Sequence, residues 1–285
     1  MAVRPKELGP KKRFAQVVIY FELIVVLVIV LIPVLWIFST SFSKTNSVSD
    51  LNLIPRNFTT LNYKEIFTET DFAKWYRNTF IVAVLTMIAT IIVNAFTAFI
   101  FARFPFKGRK PLLMFIMLFS MFPSFLALTA IYVICLNFNL LNNIYTLVII
   151  YTAGSIPGNI FLVRGYLLNI PRTLDEAAFI DGASKLQVFW RVVMPLASPI
   201  LAFIAVTSFM GPWFDFILPR MLISANEKTT VALGLFKFVN PQDPSYNVNY
   251  FAAASMIVAT PIAALQMGFQ RFLVTGITAG ANKGE

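Results

Sequence analysis

Six long apolar segments constrain this 285-residue chain more than any other feature. About 20 apolar residues in a helix cross the hydrocarbon core of a bilayer, which is about 30 Å thick. Only helices and closed barrels satisfy their backbone hydrogen bonds in that core. The sequence therefore predicts an all-α integral membrane protein with six transmembrane helices. The predicted spans are residues 17–38, 78–101, 112–136, 144–163, 199–218 and 250–273.

The composition agrees with a chain that is surrounded mostly by lipid. Hydrophobic residues make up 58% and charged residues 13%, whereas soluble domains carry about 25% charged residues. The net charge of +10 could indicate a nucleic-acid ligand, but in a membrane protein Lys and Arg mark the cytoplasmic side. The first span is too long for a signal peptide, and no cleavage site follows it. We expect a basic N-terminal segment, residues 1–16, and one transmembrane domain, residues 17–285.

The distribution of Lys and Arg predicts the orientation. With both termini inside, the inner segments hold fifteen of the 23 Lys and Arg residues, in agreement with the positive-inside rule. Residues 164–198, which we call the charged loop, are then cytoplasmic. Two polar segments, residues 39–77 and 220–249, then lie outside and are predicted to fold over the outer mouth.

The chain lacks the residues that common catalytic and metal sites need. It has no His, which removes the commonest zinc ligand and the usual general base near neutral pH. Cys135 is the single cysteine, so it forms no internal disulfide and is predicted to be a small buried hydrophobe. The sequence contains no GxxxxGK[ST] phosphate loop. We therefore expect no enzyme activity, no cofactor and no metal in this chain.

Helix-breaking residues occur in five of the six predicted spans. They are Pro33, Pro123, Gly154 with Pro157 and Gly158, Gly211 with Pro212, and Pro261. Broken helices are tolerated where they line a cavity or pack against protein. Each proline by itself also fits an ordinary kink, but their number favours a pathway. Asn94, Asp215 and Gln266 could face such a pathway or stabilise the helices.

The charged loop has the most informative local pattern. Two pairs have the capping-box spacing, namely Thr173 with Glu176 and Ser184 with Gln187. A first helix is predicted over residues 174–181. Gly182 ends it, because glycine accepts the positive φ of a helix end. A second helix is predicted to end near Pro195.

These two helices would form a surface that fits a groove in a partner. Their apolar positions are Phe179, Ala183, Leu186 and Trp190. With a turn at Gly182 the positions form two patches that meet at an angle. The alternative is an amphipathic hairpin on the membrane surface. Asp175, Glu176 and Asp181 count against that alternative, because the inner leaflet is anionic.

Residues 176–199, EAAFIDGASKLQVFWRVVMPLASP, resemble the EAA loop of membrane subunits of binding-protein-dependent ABC importers. That pattern has EAA, three residues, Gly, nine residues and then a hydrophobic stretch with Leu-Pro. The matching residues are Glu176, Ala177, Ala178 and Gly182. Met194 stands where the pattern has Leu, directly before Pro195.

A closer resemblance covers most of residues 80–284. The segments MFPSFLALTAIY, LGLFKFVNPQDPSYNVNYFAAAS and QRFLVTGITAGANKG are similar to the smaller membrane subunit of maltose/maltodextrin importers. This implies the type I ABC importer permease (MetI-like) architecture, in a bacterial cell membrane and with both termini cytoplasmic. It also implies a larger permease subunit as partner, two ATPase subunits that bind ATP and Mg²⁺, and an external sugar-binding protein.

The resemblance also assigns residues. The ATPase-coupling residues would be Glu176, Ala177, Ala178, Asp181 and Gly182. Candidates for the sugar pathway are Tyr132, Trp213, Phe214 and Asn94, although core packing explains them equally well. The sugar could also be another oligosaccharide or a sugar derivative. Alternatives of another class are an ion-driven secondary transporter, for which the chain shows no internal repeat, and a membrane scaffold.

Overall fold

The structure, a computed structural model, describes residues 10–44, 54–55 and 57–281. Within these residues every regular element is a helix, apart from one bridge between Ser43 and Phe58. Parts of the basic N-terminal segment, of the 39–77 segment and of the C-terminal tail lie outside the described residues. The all-α prediction is confirmed.

The helices follow one another along the chain with short connections. They are α1 (Pro10–Ser41), α2 (Leu61–Thr68), α3 (Phe72–Arg103), α4 (Arg109–Ser120), α5 (Ser124–Asn137), α6 (Ile144–Leu168), α7 (Thr173–Ile180), α8 (Lys185–Val188), α9 (Met194–Leu196), α10 (Ser198–Phe214), α11 (Ile217–Leu222), α12 (Val231–Val239) and α13 (Val248–Ala281). A π-helical stretch, Phe189–Val193, joins α8 to α9, and a 3-10 turn, Asn226–Lys228, precedes α12.

Four helices are each long and apolar enough to cross a membrane among the described residues. They are Phe14–Ser41, Phe72–Arg103, Ile144–Leu168 and Val248–Gln270. Two bent helix pairs raise the number to six if each pair forms one span. The six predicted spans therefore all fall on helical segments, but two of them are not simple rods.

The predicted span 112–136 is not one helix, because α4 and α5 meet at an angle of 101°. Pro123 has an extended backbone there, with ψ 114°, and it lacks the N–H that a continuous helix needs. The predicted span 199–218 is also interrupted, because α10 ends at Phe214 and Asp215 is extended. The helices continue through Pro33, Pro157, Pro212 and Pro261, so none of these four prolines by itself ends a helix.

The chain forms two compact units. The first comprises Met1–Thr70 with Phe238–Ile257. In it, the Nδ2 atoms of Asn62 and Asn249 donate hydrogen bonds to the carbonyl of Ser43, at 2.9 and 2.8 Å. The side chains of α1 are exposed along most of its length. A helix of this kind is stable in lipid or against apolar helices of another subunit rather than in water.

The second unit comprises Asp71–Lys237 with Val258–Glu285. Its centre is formed by α3 packed against α6 and α10. Small buried residues of α3, Ala95, Ala98 and Ala102, allow the helices to approach closely. The apolar cluster around them extends to Val188 and Phe189, and this packing brings the C-terminal end of α3 next to the charged loop.

Candidate functional site

The first helix of the charged loop, α7, begins without the predicted cap. Arg172 already has helical angles, φ −69° and ψ −21°, and its carbonyl accepts a hydrogen bond from the Glu176 amide at 3.0 Å. Thr173 is therefore inside the helix and not at the extended N-cap position, so the predicted Thr173–Glu176 capping box is wrong. Asp175 and Glu176 still lie in the first turn, where negative charge stabilises a helix.

The turn between the two loop helices is confirmed. Gly182 has φ 81°, a conformation that side chains with a Cβ rarely adopt. Ser184 then begins α8 with the predicted capping box. Its N–H donates to Gln187 Oε1 at 2.7 Å, and the Gln187 N–H donates to Ser184 Oγ at 3.3 Å.

The predicted ATPase-coupling residues lie mostly on the exposed side of this turn. Glu176, Ala177, Asp181 and Gly182 are exposed, whereas Ala178 is half-buried against the main apolar cluster. Ile180 beside them is 87% exposed. Phe179, Leu186 and Trp190 are also exposed, while Ala183 is half-buried. The loop thus presents an apolar surface with acidic residues beside it.

The opposite side of α7 is held by an ion pair. Arg103 Nε, on the last residue of α3, lies 2.7 Å from Asp175 Oδ2, and the two side chains are 5% and 9% exposed. The contact is an ion pair by distance and not an aligned hydrogen bond. Burial raises the pKa of the Asp175 carboxyl, while the positive charges of Arg103 and Arg172 act in the opposite direction.

Further arginine contacts join α3 to the charged loop. Arg103 Nη1 and Nη2 donate to the Ile170 carbonyl at 3.2 and 3.1 Å. In return, Arg164 Nε donates to the Phe101 carbonyl and Arg172 Nη2 to the Ala102 carbonyl. The last carbonyls of a helix have no partner within it and carry partial negative charge. Arginines therefore satisfy the end of α3.

These contacts were not predicted from the sequence. Arg103 is one of the fifteen Lys and Arg residues on which the predicted orientation rests, and Asp175 is one of three acidic residues of the loop. Arg164 was expected outside the membrane span, but α6 continues to Leu168. The one local signal was an acidic residue beside Glu176 on a short helix, and it does not identify a partner on α3.

A cavity of about 850 Å³ lies between α5, α6 and the start of α11. Its walls are mainly apolar, and one polar pair stands among them. The Tyr151 hydroxyl donates to Asp215 Oδ2 at 2.8 Å, while Asp215 Oδ1 accepts from the amides of Ile217 and Leu218. Asp215 therefore lines the cavity and also caps α11.

The candidate pathway residues do not all gather at this cavity. Asn94 is fully buried, and its Nδ2 donates to Ser155 Oγ, which lines the cavity. Tyr132 packs against the apolar cluster beside it. Trp213 is buried, with its ring edge-on to Tyr76, while Phe214 is exposed. Neither Trp213 nor Phe214 lines the cavity.

The beginning of the 220–249 segment is fixed by side chains of other elements. Asn142 Oδ1 accepts hydrogen bonds from the amides of Ser224 and Ala225, at 2.7 and 2.9 Å. Asn78 Nδ2 on α3 donates to the carbonyls of Glu227 and Thr229, at 2.8 and 3.0 Å. This part of the segment is therefore a positioned loop.

Comparisons with known proteins agree with this architecture. The family model described as "Binding-protein-dependent transport system inner membrane component" matches residues 94–278. A crystal structure of a bacterial ABC transporter involved in the import of the acidic polysaccharide alginate contains a chain with the same fold. Its TM-score is 0.84 at 23% identity, over 94% of this chain and 99% of that chain.

Two curated relatives match over nearly their whole length. The maltodextrin transport system permease protein MalD of Streptococcus pneumoniae is 37% identical, over 96% of this chain and 98% of the relative. The galactooligosaccharides transport system permease protein GanQ of Bacillus subtilis is 36% identical, over 93% of this chain and 94% of the relative. With the helical fold and the charged loop, these matches show that the chain belongs to the binding-protein-dependent transport system inner membrane components.

Proposed function

We propose that this chain is the permease subunit of an ABC importer that carries maltodextrin. Its relatives MalD and GanQ carry the names of maltodextrin and galactooligosaccharide transport systems. Both cargoes are short chains of sugar units, which supports an oligosaccharide as the substrate class. A galactooligosaccharide or another sugar derivative is the alternative within this class.

In this proposal the chain pairs with a larger permease subunit, and two ATPase subunits bind the charged loop. The observation that supports ATPase binding at this loop is that α7 has one buried side and one exposed side. Asp175 is buried against Arg103, whereas Glu176 and Ile180 are exposed. An exposed Ile with an adjacent carboxylate fits a partner groove that has an apolar floor and a basic rim.

The loop then transmits movement and performs no chemistry. When the ATPase subunits close on ATP, the docked α7 moves with them, and the contacts at Arg103 carry this movement to α3. A turn that is fixed by Gly182 and Ser184 keeps α7 and α8 in one arrangement. ATP and Mg²⁺ are bound by the partner subunits, because this chain has no phosphate loop.

The 220–249 segment is proposed to lie outside and to contact the sugar-binding protein. Its first part is fixed by Asn78 and Asn142. Because Asn78 belongs to α3, a movement of this segment would be transmitted to α3. The cavity beside Tyr151 and Asp215 is the proposed part of the pathway in this subunit. Tyr132 and Asn94 lie at or behind its wall, and Phe214 would contact sugar only outside the cavity.

The experiment is reconstitution of the importer in proteoliposomes with its larger permease, ATPase and binding-protein partners. We expect ATP-dependent uptake of maltotriose, with weaker uptake of a galactose trisaccharide, and no ATP hydrolysis by the isolated chain. Equal or better uptake of the galactose trisaccharide would assign the alternative substrate. Uptake driven by an ion gradient without ATP would contradict the proposal that the chain belongs to an ABC importer.

A further inference from the structure

We propose that the Arg103–Asp175 pair positions α7 on α3 and so sets how much sugar is moved for each ATP hydrolysed. This inference rests on the proposed function, in which the exposed side of α7 binds the ATPase. Asp175 and Arg103 are positioning residues, since neither touches sugar or nucleotide. The pair joins α7, the helix that binds the ATPase, to the membrane span α3.

The pair joins the last residue of α3 to the first turn of α7. The guanidinium of Arg103 spans both parts of the loop, because Nε lies 2.7 Å from Asp175 Oδ2 while Nη1 and Nη2 bind the Ile170 carbonyl. Arg172, directly before α7, binds the Ala102 carbonyl on α3. Arg103 of α3 thus binds the charged loop, and Arg172 of the charged loop binds α3.

Apolar packing alone holds α7 weakly. Among its eight residues, Asp175 is the buried one, and Ala178 packs partly against the main cluster. An alanine methyl group buries little apolar area, and it does not fix the orientation of the helix. An ion pair with a planar guanidinium fixes both distance and angle. The orientation of α7 therefore depends mainly on Arg103 and Arg172.

The carboxylate forms its ion pair with Arg103, and Arg172 acts on it only electrostatically. Asp175 Oδ1 is buried and has no hydrogen-bond partner among the described residues. If the pair is broken, one charge remains buried without its ion-pair partner, which is strongly unfavourable. The least costly response is for α7 to move until the free charge reaches water. The ATPase could then still bind the exposed side of α7, but its movement would no longer be carried fully to α3.

The test uses the complete transporter in proteoliposomes and measures sugar uptake and ATP hydrolysis in the same preparation. Asp175→Asn has nearly the same shape as the native residue but no charge. We expect it to keep the ATPase subunits bound and to lower the sugar moved per ATP by about tenfold, within the usual range of coupling between sites. Asp175→Glu keeps the carboxylate and should regain most of this ratio.

The control is Lys107→Ala, an exposed cation of the connection between α3 and α4, which should leave the ratio unchanged. An unchanged ratio in Asp175→Asn overturns the proposal, and so does a ratio that is equally low in Asp175→Glu. If Asp175→Asn does not accumulate in the membrane, Arg103→Gln, which removes the other charge of the pair, replaces it with the same expectation, and an unchanged ratio again overturns the proposal. Failure of the native chain to bind any ATPase subunit contradicts the proposed function instead.

Discussion

Asp175 and Glu176 are consecutive residues of α7, yet one side chain is buried and the other is exposed. Asp175 is buried with its carboxylate 2.7 Å from Arg103, while Glu176 is exposed. A helix turns by 100° per residue because 3.6 residues make one turn, so neighbouring side chains readily face different surroundings. One side of α7 is thereby bound to α3, and the other remains free for a partner.

The turn at Gly182 should be intolerant of a β-branched residue. Gly182 has φ 81°, and a residue such as Val in that conformation costs about 1–3 kcal/mol. Gly182→Val should strongly reduce sugar uptake and ATPase co-purification at matched membrane levels. Gly182→Asn should be milder, because Asn tolerates positive φ better.

The matched control is Gly268→Val on α13, where an added Cβ meets nothing within 4 Å and φ is not positive. It should transport like the native chain. If Gly182→Val also transports normally, the strained turn has no role in coupling.

The two Ser/Thr positions of the charged loop should respond differently to alanine. Ser184→Ala removes the cap of α8, which is worth about 1 kcal/mol. Thr173→Ala removes no cap hydrogen bond, since Thr173 lies inside α7. Amide hydrogen exchange should therefore accelerate in α8 for Ser184→Ala and stay unchanged in α7 for Thr173→Ala. Equal acceleration in both helices would disprove the assignment of the helix starts.

Asn142 should control the 220–249 segment. It has φ 56° and accepts hydrogen bonds from Ser224 and Ala225, so Asn142→Ala loses these bonds and adds backbone strain. We expect faster proteolysis near Ser224 and lower uptake, with the ATPase subunits still bound. Asn142→Asp keeps an acceptor and tolerates the backbone, so it should behave nearly like the native chain. Identical proteolysis of the two variants would refute this role.

Gly234 on α12 should accept no side chain. A Cβ at this position would overlap the indole ring of Trp75 on α3, and such overpacking costs about 1–3 kcal/mol. Gly234→Ala should lower the thermal unfolding temperature in detergent. Gly211→Ala, where a Cβ meets nothing within 4 Å, should not lower it. A native unfolding temperature for Gly234→Ala would show that α12 does not pack against Trp75 in this way.

Hydropathy and local spacing predict the parts of the fold that depend on nearby residues. The apolar spans, the turn at Gly182 and the cap at Ser184 follow from short sequence patterns. The cap at Thr173 does not, because Arg172 continues the helical backbone one residue further back. The prolines within the spans fit either a break or an ordinary kink on sequence alone, and among those named above Pro123 is the one at a sharp bend between two helices.

The candidate site is less predictable because it is built from residues that are distant in sequence. Arg103 and Asp175 pair only because α3, α6 and α10 pack together and bring the end of α3 to the charged loop. Tyr151 and Asp215 meet in the same way across the cavity. No local pattern identifies such pairs, since either member has an ordinary role within its own segment.

The most direct test of the account is cysteine cross-linking between this chain and the ATPase subunit in a Cys135→Ser background. Ile180→Cys lies on the exposed side of α7, and Phe236→Cys lies at an exposed position of α12 in the 220–249 segment. We predict that Ile180→Cys forms a cross-link to the ATPase subunit in native membranes and that Phe236→Cys forms none. A cross-link from Phe236→Cys alone, or none from Ile180→Cys in an importer that transports, would contradict it.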